Sequence, residues 1–227
     1  FDEISPRATG QELRVQWVED GSEREAVIDL PLIGEFQALN AIGAATLAYA
    51  LGLRFEDILG ALKSLTTVPG RLELVGLKDD HAPVFVDYAH TPDGLDTLLR
   101  AARPHVRGRI VLIFGCGGDR DRTKRTPMGE VAQRFADDII VTDDNPRSEP
   151  PEGIRAAILK GAPDAVEIAN REEAIYAGVR RLAPGDALLI AGKGHETGQT
   201  IGDQVIPFSD ADVARRALKV LQGGGHA

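Results

Sequence analysis

Residues 144–147, Asp144-Asn145-Pro146-Arg147, set a carboxylate, an amide and a guanidinium within one short turn. Pro146 stiffens such a turn, and Asp and Asn are ordinary turn residues, so the segment could be only a bend in the backbone. It could equally hold a zwitterionic amino acid. The guanidinium fork takes a carboxylate through paired bonds, while Asp or Asn accepts from an ammonium. Glu196, at the end of Gly192-Lys193-Gly194-His195-Glu196, offers a second ammonium acceptor. His195 in that segment reads as a surface residue.

A third cluster is Gly115-Cys116-Gly117-Gly118-Asp119-Arg120-Asp121. Glycines after a strand let backbone N–H groups approach a ligand, or simply make a tight strand-to-helix turn. Arg120, Arg122, Lys124 and Arg125 follow at once. Most of such a basic run is a solvated face, with room for one functional cation. No Gly-x-x-x-x-Gly-Lys-Ser/Thr occurs anywhere, so this chain carries no P-loop. The His residues and Cys116 lack zinc-ligand spacing, and no Ser or Cys stands in a nucleophile motif, which argues against covalent catalysis.

The clusters fall just after short apolar runs. Strands are predicted at 11–18 and 25–30 around a turn at Gly21, then at 72–75, 84–88, 110–114, 138–142, 165–168 and 187–191. Helices are predicted at 36–51, with Gly52 as its C-cap, and at 55–65, 92–102, 128–136, 151–160, 171–182 and 210–221. From residue 72 onward, β-branched runs alternate with helices of ordinary length, the pattern of an α/β fold with a mainly parallel sheet. Such sheets bind ligands at the carboxyl ends of their strands. Asp87–His90, Gly115–Arg125, Asp143–Arg147 and Gly192–Glu196 would therefore converge on one edge. Thr67-Val68-Pro69-Gly70 breaks the pattern and divides the chain into 1–69 and 70–227. The glycine tail around residues 223–225 reads as frayed.

Composition narrows the possibilities. A formal net charge of −9 argues against a general nucleic-acid or membrane-surface role. The single cysteine excludes an internal disulfide framework and fits a reducing, cytoplasmic compartment. No apolar run approaches the ~20 residues needed to cross a bilayer. The opening Phe1-Asp2-Glu3-Ile4 has no signal-peptide pattern and no initiating Met, and so reads as a fragment.

Taken together, five segments resemble the Mur ligases, in that family's order and spacing. They are Pro69-Gly70-Arg71-Leu72-Glu73, Val86-Asp87-Tyr88-Ala89-His90-Thr91-Pro92-Asp93, Phe114 to Asp121, Asp144 to Arg147, and Ala191 to Glu196. The likeness covers the chain from about Pro31 onward. It implies the end of a central α/β ATPase domain (1–69) followed by a Rossmann-like C-terminal domain (70–227), without the family's P-loop and carbamylated lysine. It also implies ATP and Mg2+ as cofactors, and a cytoplasmic monomer that inserts in no membrane. The implied reaction is amide formation through an acyl phosphate during peptidoglycan precursor synthesis. The substrates would be ATP, a UDP-N-acetylmuramoyl dipeptide and meso-diaminopimelate.

By this resemblance Asn40 would contact adenine, and Arg71 and Asp87 the ribose side of ATP, with His90 nearby. Gln37 stands where relatives often have Asn and is given no contact. Arg125, Asp144, Asn145, Pro146, Arg147, Gly192 and Glu196 would bind meso-diaminopimelate. That amino acid is lysine with one more carboxylate, so a selective pocket needs one more cation, which Arg147 provides. Stranding that guanidinium would penalise lysine by about 2–5 kcal/mol. Three rivals remain: a folylpolyglutamate synthetase-like ligase, a non-catalytic binding domain, and a nicotinamide dehydrogenase. The Asp-Asn-Pro-Arg turn argues against the first. The absent Gly-x-Gly-x-x-Gly argues against the last.

Overall fold

The computed structural model describes residues 3–19 and 21–223. Phe1, Asp2 and the glycine tail beyond Gly223 lie outside these. The chain divides into two units, one of residues 1–67 with 101–105, the other of residues 68–100 with 106–227.

The first unit is a three-stranded antiparallel sheet, β1 (Glu3–Arg7), β2 (Gly10–Glu19) and β3 (Ser22–Leu30), carrying helices α1 (Glu35–Ala50) and α2 (Phe55–Lys63). Gly21, with φ of 74°, makes the β2–β3 turn. Leu13, Val15, Ile28 and Leu30 alternate inward along β2 and β3 and pack on Ala38, Ala41, Ile58 and Leu62 of the helices. Trp17 stacks on Phe55 at 3.8 Å between ring centroids. Strand β1 is rich in charge, is interrupted by Pro6 and has no apolar alternation.

The second unit holds the six-stranded sheet. Its strands are β4 (Glu73–Lys78), β5 (Ala82–Asp87), β6 (Ile110–Phe114), β7 (Asp138–Val141), β8 (Val166–Glu167) and β9 (Ala187–Ala191). Their order is β4-β5-β9-β6-β7-β8, with only β4 antiparallel to its neighbour. Strands β6 (Ile-Val-Leu-Ile-Phe) and β9 (Ala-Leu-Leu-Ile-Ala) are buried throughout, as central strands covered on both faces must be. Helices α3 (Pro92–Ala102), α4 (Arg125–Phe135), α5 (Pro151–Leu159), α6 (Arg171–Arg181) and α7 (Asp210–Gly223) complete the unit. Ala174, Ile175 and Val179 of α6 and Val213, Ala214 and Ala217 of α7 close over Val84, Val86, Ile113, Leu188 and Ile190.

Two details differ from the sequence reading. Strand β8 shrinks to two residues, and a short hairpin, β10 (Gly198–Ile201) with β11 (Gln204–Pro207), occupies sequence left unassigned. Among the described residues no helix is long and apolar enough to cross a membrane.

Candidate amino-acid-binding site

Strands β5, β9, β6 and β7 are consecutive neighbours in the sheet, and Asp87 pairs in register with Ala191, Phe114 with Val141. Their carboxyl ends therefore stand in a row, and the loop after each contributes to one cavity of about 380 Å³. Tyr88, His90 and Thr91 come from the loop after β5, Gly115 to Gly117, Arg120, Asp121 and Lys124 from that after β6. Asp144, Asn145 and Arg147 come from the turn after β7, Gly192 and Glu196 from the loop after β9.

The turn after β7 is held by the β10–β11 hairpin. Arg147 N–H donates to Thr200 O (3.1 Å), Gly202 N–H to Arg147 O (2.8 Å), and Gln199 Nε2 to Asp144 O (2.8 Å). Arg147 accordingly sits at φ of 51°, a left-handed conformation that a non-glycine residue keeps only when its surroundings enforce it. Its Nη1 donates to Gly118 O at 2.8 Å. Asp119 ties the same two loops by accepting from Ser148 N (3.1 Å) and Ser148 Oγ (2.7 Å), which hold its carboxyl below the usual range.

Glu196 and Asn145 form one network with Lys193. Asn145 Nδ2 donates to Glu196 Oε2 (2.9 Å), and Lys193 Nζ donates to Asn145 Oδ1 (2.9 Å) and Glu196 Oε2 (3.1 Å). Burial works to raise the Glu196 pKa, but the Asn145 bond and the Lys193 ammonium outweigh it and hold the carboxyl below its ordinary value. Asp144 is 8% exposed. Gly192, at φ of 115°, lets it sit close, since a Cβ there would come within 2.9 Å of Asp144 Oδ2.

The candidate residues divide. His90, Asp144, Asn145, Arg147, Gly192 and Glu196 line the cavity, whereas Arg71, Asp87, Arg125 and Pro146 do not. Asn40 stands exposed on α1 of the first unit. Arg125 is buried, and its guanidinium grips Glu149 through Nη1 (3.1 Å) and Nη2 (2.9 Å). That bond, with Asp119 N–H, holds the Glu149 pKa down to about 2. The cavity's cations from this loop are instead Arg120 and Lys124, which the sequence reading left among the solvated residues. Helix α4 begins at Arg125, which carries that side chain away, and the loop before it faces the strand ends.

Asp87 is a clamp. Its Oδ2 accepts from Leu72 N (2.8 Å) and its Oδ1 from Ala89 N (2.7 Å), while burial raises its pKa against these bonds. Leu72 is thereby held at φ of 45°. Arg71 lies over the Tyr88 ring at 4.8 Å. Gly70, at φ of 69°, touches the Gly194–His195 backbone so closely that a Cβ would come within 2.7 Å of Gly194 Cα. The cavity also contains the one cysteine. Burial pushes the Cys116 thiol up to about 12, which removes it as a nucleophile at neutral pH.

A cleft with cations and carboxylates gathered at strand ends suits a small zwitterion. Comparison with known proteins agrees on the family. Residues 70–194 match the model of the Mur ligase glutamate ligase domain. The chain is 56% identical over 192 residues to UDP-N-acetylmuramoyl-L-alanyl-D-glutamate–2,6-diaminopimelate ligase of Mesorhizobium japonicum, covering 85% of this chain and 40% of that protein. It is 48% identical over 218 residues to the protein of the same name from Caulobacter vibrioides, covering 95% and 43%. A solved structure of a ligase of that name superposes with a TM-score of 0.76 at 34% identity, over 96% of this chain and 45% of that one. A folylpolyglutamate synthase of Mycobacterium tuberculosis shares the fold at a TM-score of 0.60 and 21% identity, over 97% and 47%. The chain spans about 40% of the length of the curated relatives it matches. From its strand-end motifs, its sheet order and these matches together, the chain belongs to the Mur ligase family.

Proposed function

We propose that this chain is the amino-acid-binding part of an ATP-dependent ligase that joins meso-diaminopimelate to UDP-N-acetylmuramoyl-L-alanyl-D-glutamate. The observation that carries this reading is one cavity walled at once by Arg120, Lys124 and Arg147 and by Asp144 and Glu196. A diamino dicarboxylate presents two carboxylates and two amino groups, and both signs find partners there. Lysine brings one carboxylate fewer and leaves a guanidinium unpaired. Arg147 commits Nη1 to Gly118 O and retains Nε and Nη2 for a carboxylate.

In such a reaction the amine attacks an acyl phosphate on the D-glutamyl side chain, and the work of this chain is to bind and orient that amine. Asp144 and Glu196 hold the ammonium of the amino group that does not react while the cations fix the carboxylates, so the free attacking amine, which sheds a proton as phosphate leaves, meets the acyl phosphate ahead of water. ATP would supply the phosphoryl group and Mg2+ would offset the charge that develops. Among the described residues no group of three or more His, Cys, Asp or Glu side chains could hold a metal ion, and the sequence has no P-loop. None of the metal's chemistry is therefore assigned to these residues. On the nucleotide side, Arg71 and His90 of the second unit are exposed polar groups available to a ribose, and Asp87 shapes the Arg71 loop; in the first unit, taken by itself, Asn40 is an exposed amide available to a base. Residues 1–69 would close the central ATPase domain and 70–227 form the C-terminal one. The reading assigns the enzyme to the cytoplasm as a monomer and calls for no nucleic acid.

Kinetics of Arg147→Ala in the complete enzyme test it. KM for meso-diaminopimelate should rise by about tenfold or more, from the ~1.5–3 kcal/mol of hydrogen bonds to a charged group, while KM for ATP stays put. Equal rises in both would overturn the assignment.

A further inference from the structure

Lys193 belongs to the same loop as Glu196 but has no solvent exposure at all, so it cannot touch a molecule in the cavity. A lysine so placed is unfavourable unless its ammonium is fully engaged. Its Nζ has two acceptors, Asn145 Oδ1 and Glu196 Oε2. Asn145 closes the triangle through Nδ2 to Glu196 Oε2, and its Oδ1 accepts a second bond from Thr200 N–H at 2.9 Å.

The chemistry of these partners fixes more than position. An ammonium and a backbone N–H can only donate, so the atom between them must be the amide oxygen of Asn145. Both of its lone pairs are then occupied. Asn145 cannot accept from a ligand ammonium; toward the cavity it has only an N–H to give. Glu196 is constrained in the complementary way. Its Oε2 receives two donors, which leaves Oε1 to face a ligand.

We propose that Lys193 is a positioning residue that sets the polarity of the amino-acid pocket, fixing Glu196 as an ionised acceptor for an ammonium and Asn145 as a donor to a carboxylate. The ligand side of this proposal rests on the amino-acid reading given above. The other charged and titratable groups facing Glu196 do not replace Lys193. Arg147 adds to the pull on the Glu196 carboxylate but gives it no hydrogen bond, and Arg171 of α6 is committed to Asp210. Asp144 bears the wrong sign, and His90, Arg120, Asp121 and Lys124 stand on the cavity walls rather than beneath the carboxylate.

Lys193→Met removes the ammonium and keeps an apolar stem that reaches to Cε. The first readout is the Glu196 carboxyl titration, followed by carbon NMR on this chain without ligand. The wild type should titrate below the ordinary glutamate range and the variant about one pH unit or more higher. The second is calorimetric titration with meso-diaminopimelate, which Lys193→Met should weaken by about tenfold or more, increasingly so as pH falls toward the raised Glu196 value. An unmoved Glu196 titration overturns the proposal whatever the ligand results. A raised titration in a chain whose wild type binds no meso-diaminopimelate upholds the role of Lys193 and overturns the amino-acid reading instead. Equal affinity of wild type and variant overturns the ligand half. If Lys193→Met fails to fold, Lys193→Met/Glu196→Gln, which removes both charges together, should fold again; a double variant as unfolded as the single one overturns the pairing.

Discussion

Arg171 and Asp210 make the most deeply buried ion pair of the second unit, and the consequence of breaking it can be worked from their surroundings. Arg171 Nε meets Asp210 Oδ1 and Nη2 meets Oδ2, both at 2.7 Å, with neither side chain exposed. Nη2 also donates to Ala191 O (3.0 Å) and Nη1 to Asp143 O (3.4 Å). The guanidinium thus joins the start of α7 to the ends of β9 and β7, the two strands whose loops carry Glu196 and Arg147. Arg171→Met strands a buried carboxylate, at about 3–5 kcal/mol, and deprives two carbonyls of a charged donor, at about 1 kcal/mol more. Removing both charges, in Arg171→Met/Asp210→Leu, leaves only the carbonyl deficit and should lose about 1–2 kcal/mol. Urea unfolding followed by far-UV circular dichroism gives both losses. Hydrogen exchange at Leu189–Ala191 and Ile140–Val141 confirms that the weakened region is the one the pair supports. A single-variant loss below about 1 kcal/mol, or a double variant worse than the single, would refute this reasoning, because the pair would then not be the compensating element it is taken to be.

Three further outcomes follow from the same geometry. Gly70→Ala combines a left-handed backbone with a clash against Gly194 and should cost about 2–4 kcal/mol in chemical denaturation; an unchanged midpoint would contradict the close approach of the two loops. Glu149 has its folded pKa lowered from 4.5 to about 2, so its contribution is present above pH ~4.5 and is lost as pH falls toward 2. Glu149→Gln should therefore flatten the acid limb of the stability curve across that window, and an identical limb would exclude the Arg125–Glu149 bond. Cys116 is 3% exposed with a thiol pushed up to about 12, so iodoacetamide at pH 8 should leave it unmodified in the native chain and alkylate it in urea, as mass spectrometry would read.

Much of this was legible in the residues, for identifiable reasons. The strands that carry the site announce themselves because a central parallel strand is buried on both faces, so Ile110–Phe114 and Ala187–Ala191 are uninterrupted apolar runs. Each polar cluster follows such a run directly, and its convergence on one edge needs only the rule that parallel strands point the same way. What was hidden depends on partners distant in sequence. Arg125 resembles its neighbours in a basic run, yet its side chain is claimed by Glu149, 24 residues away, while Arg120 and Lys124 reach the cavity. Lys193, flanked by glycines, gives no sign that it is fully buried beneath Glu196 and Asn145. Asp87 reads as a ligand carboxylate, and only the fold reveals that each of its oxygens also accepts a backbone N–H, from Leu72 and from Ala89. The hairpin of β10 and β11 is short, half-buried along β10 and exposed along β11, and mixed in polarity, so no periodicity marks it, although it is what holds Arg147 in its left-handed conformation.

The central claim is that this cavity is built for an amino acid with two carboxylates, and calorimetric titration of the chain with meso-diaminopimelate beside L-lysine tests it most directly. The account predicts binding of meso-diaminopimelate at least about tenfold tighter than that of lysine, the lower end of the ~1.5–3 kcal/mol of hydrogen bonds to a charged group. Equal affinity for the two amino acids would contradict it.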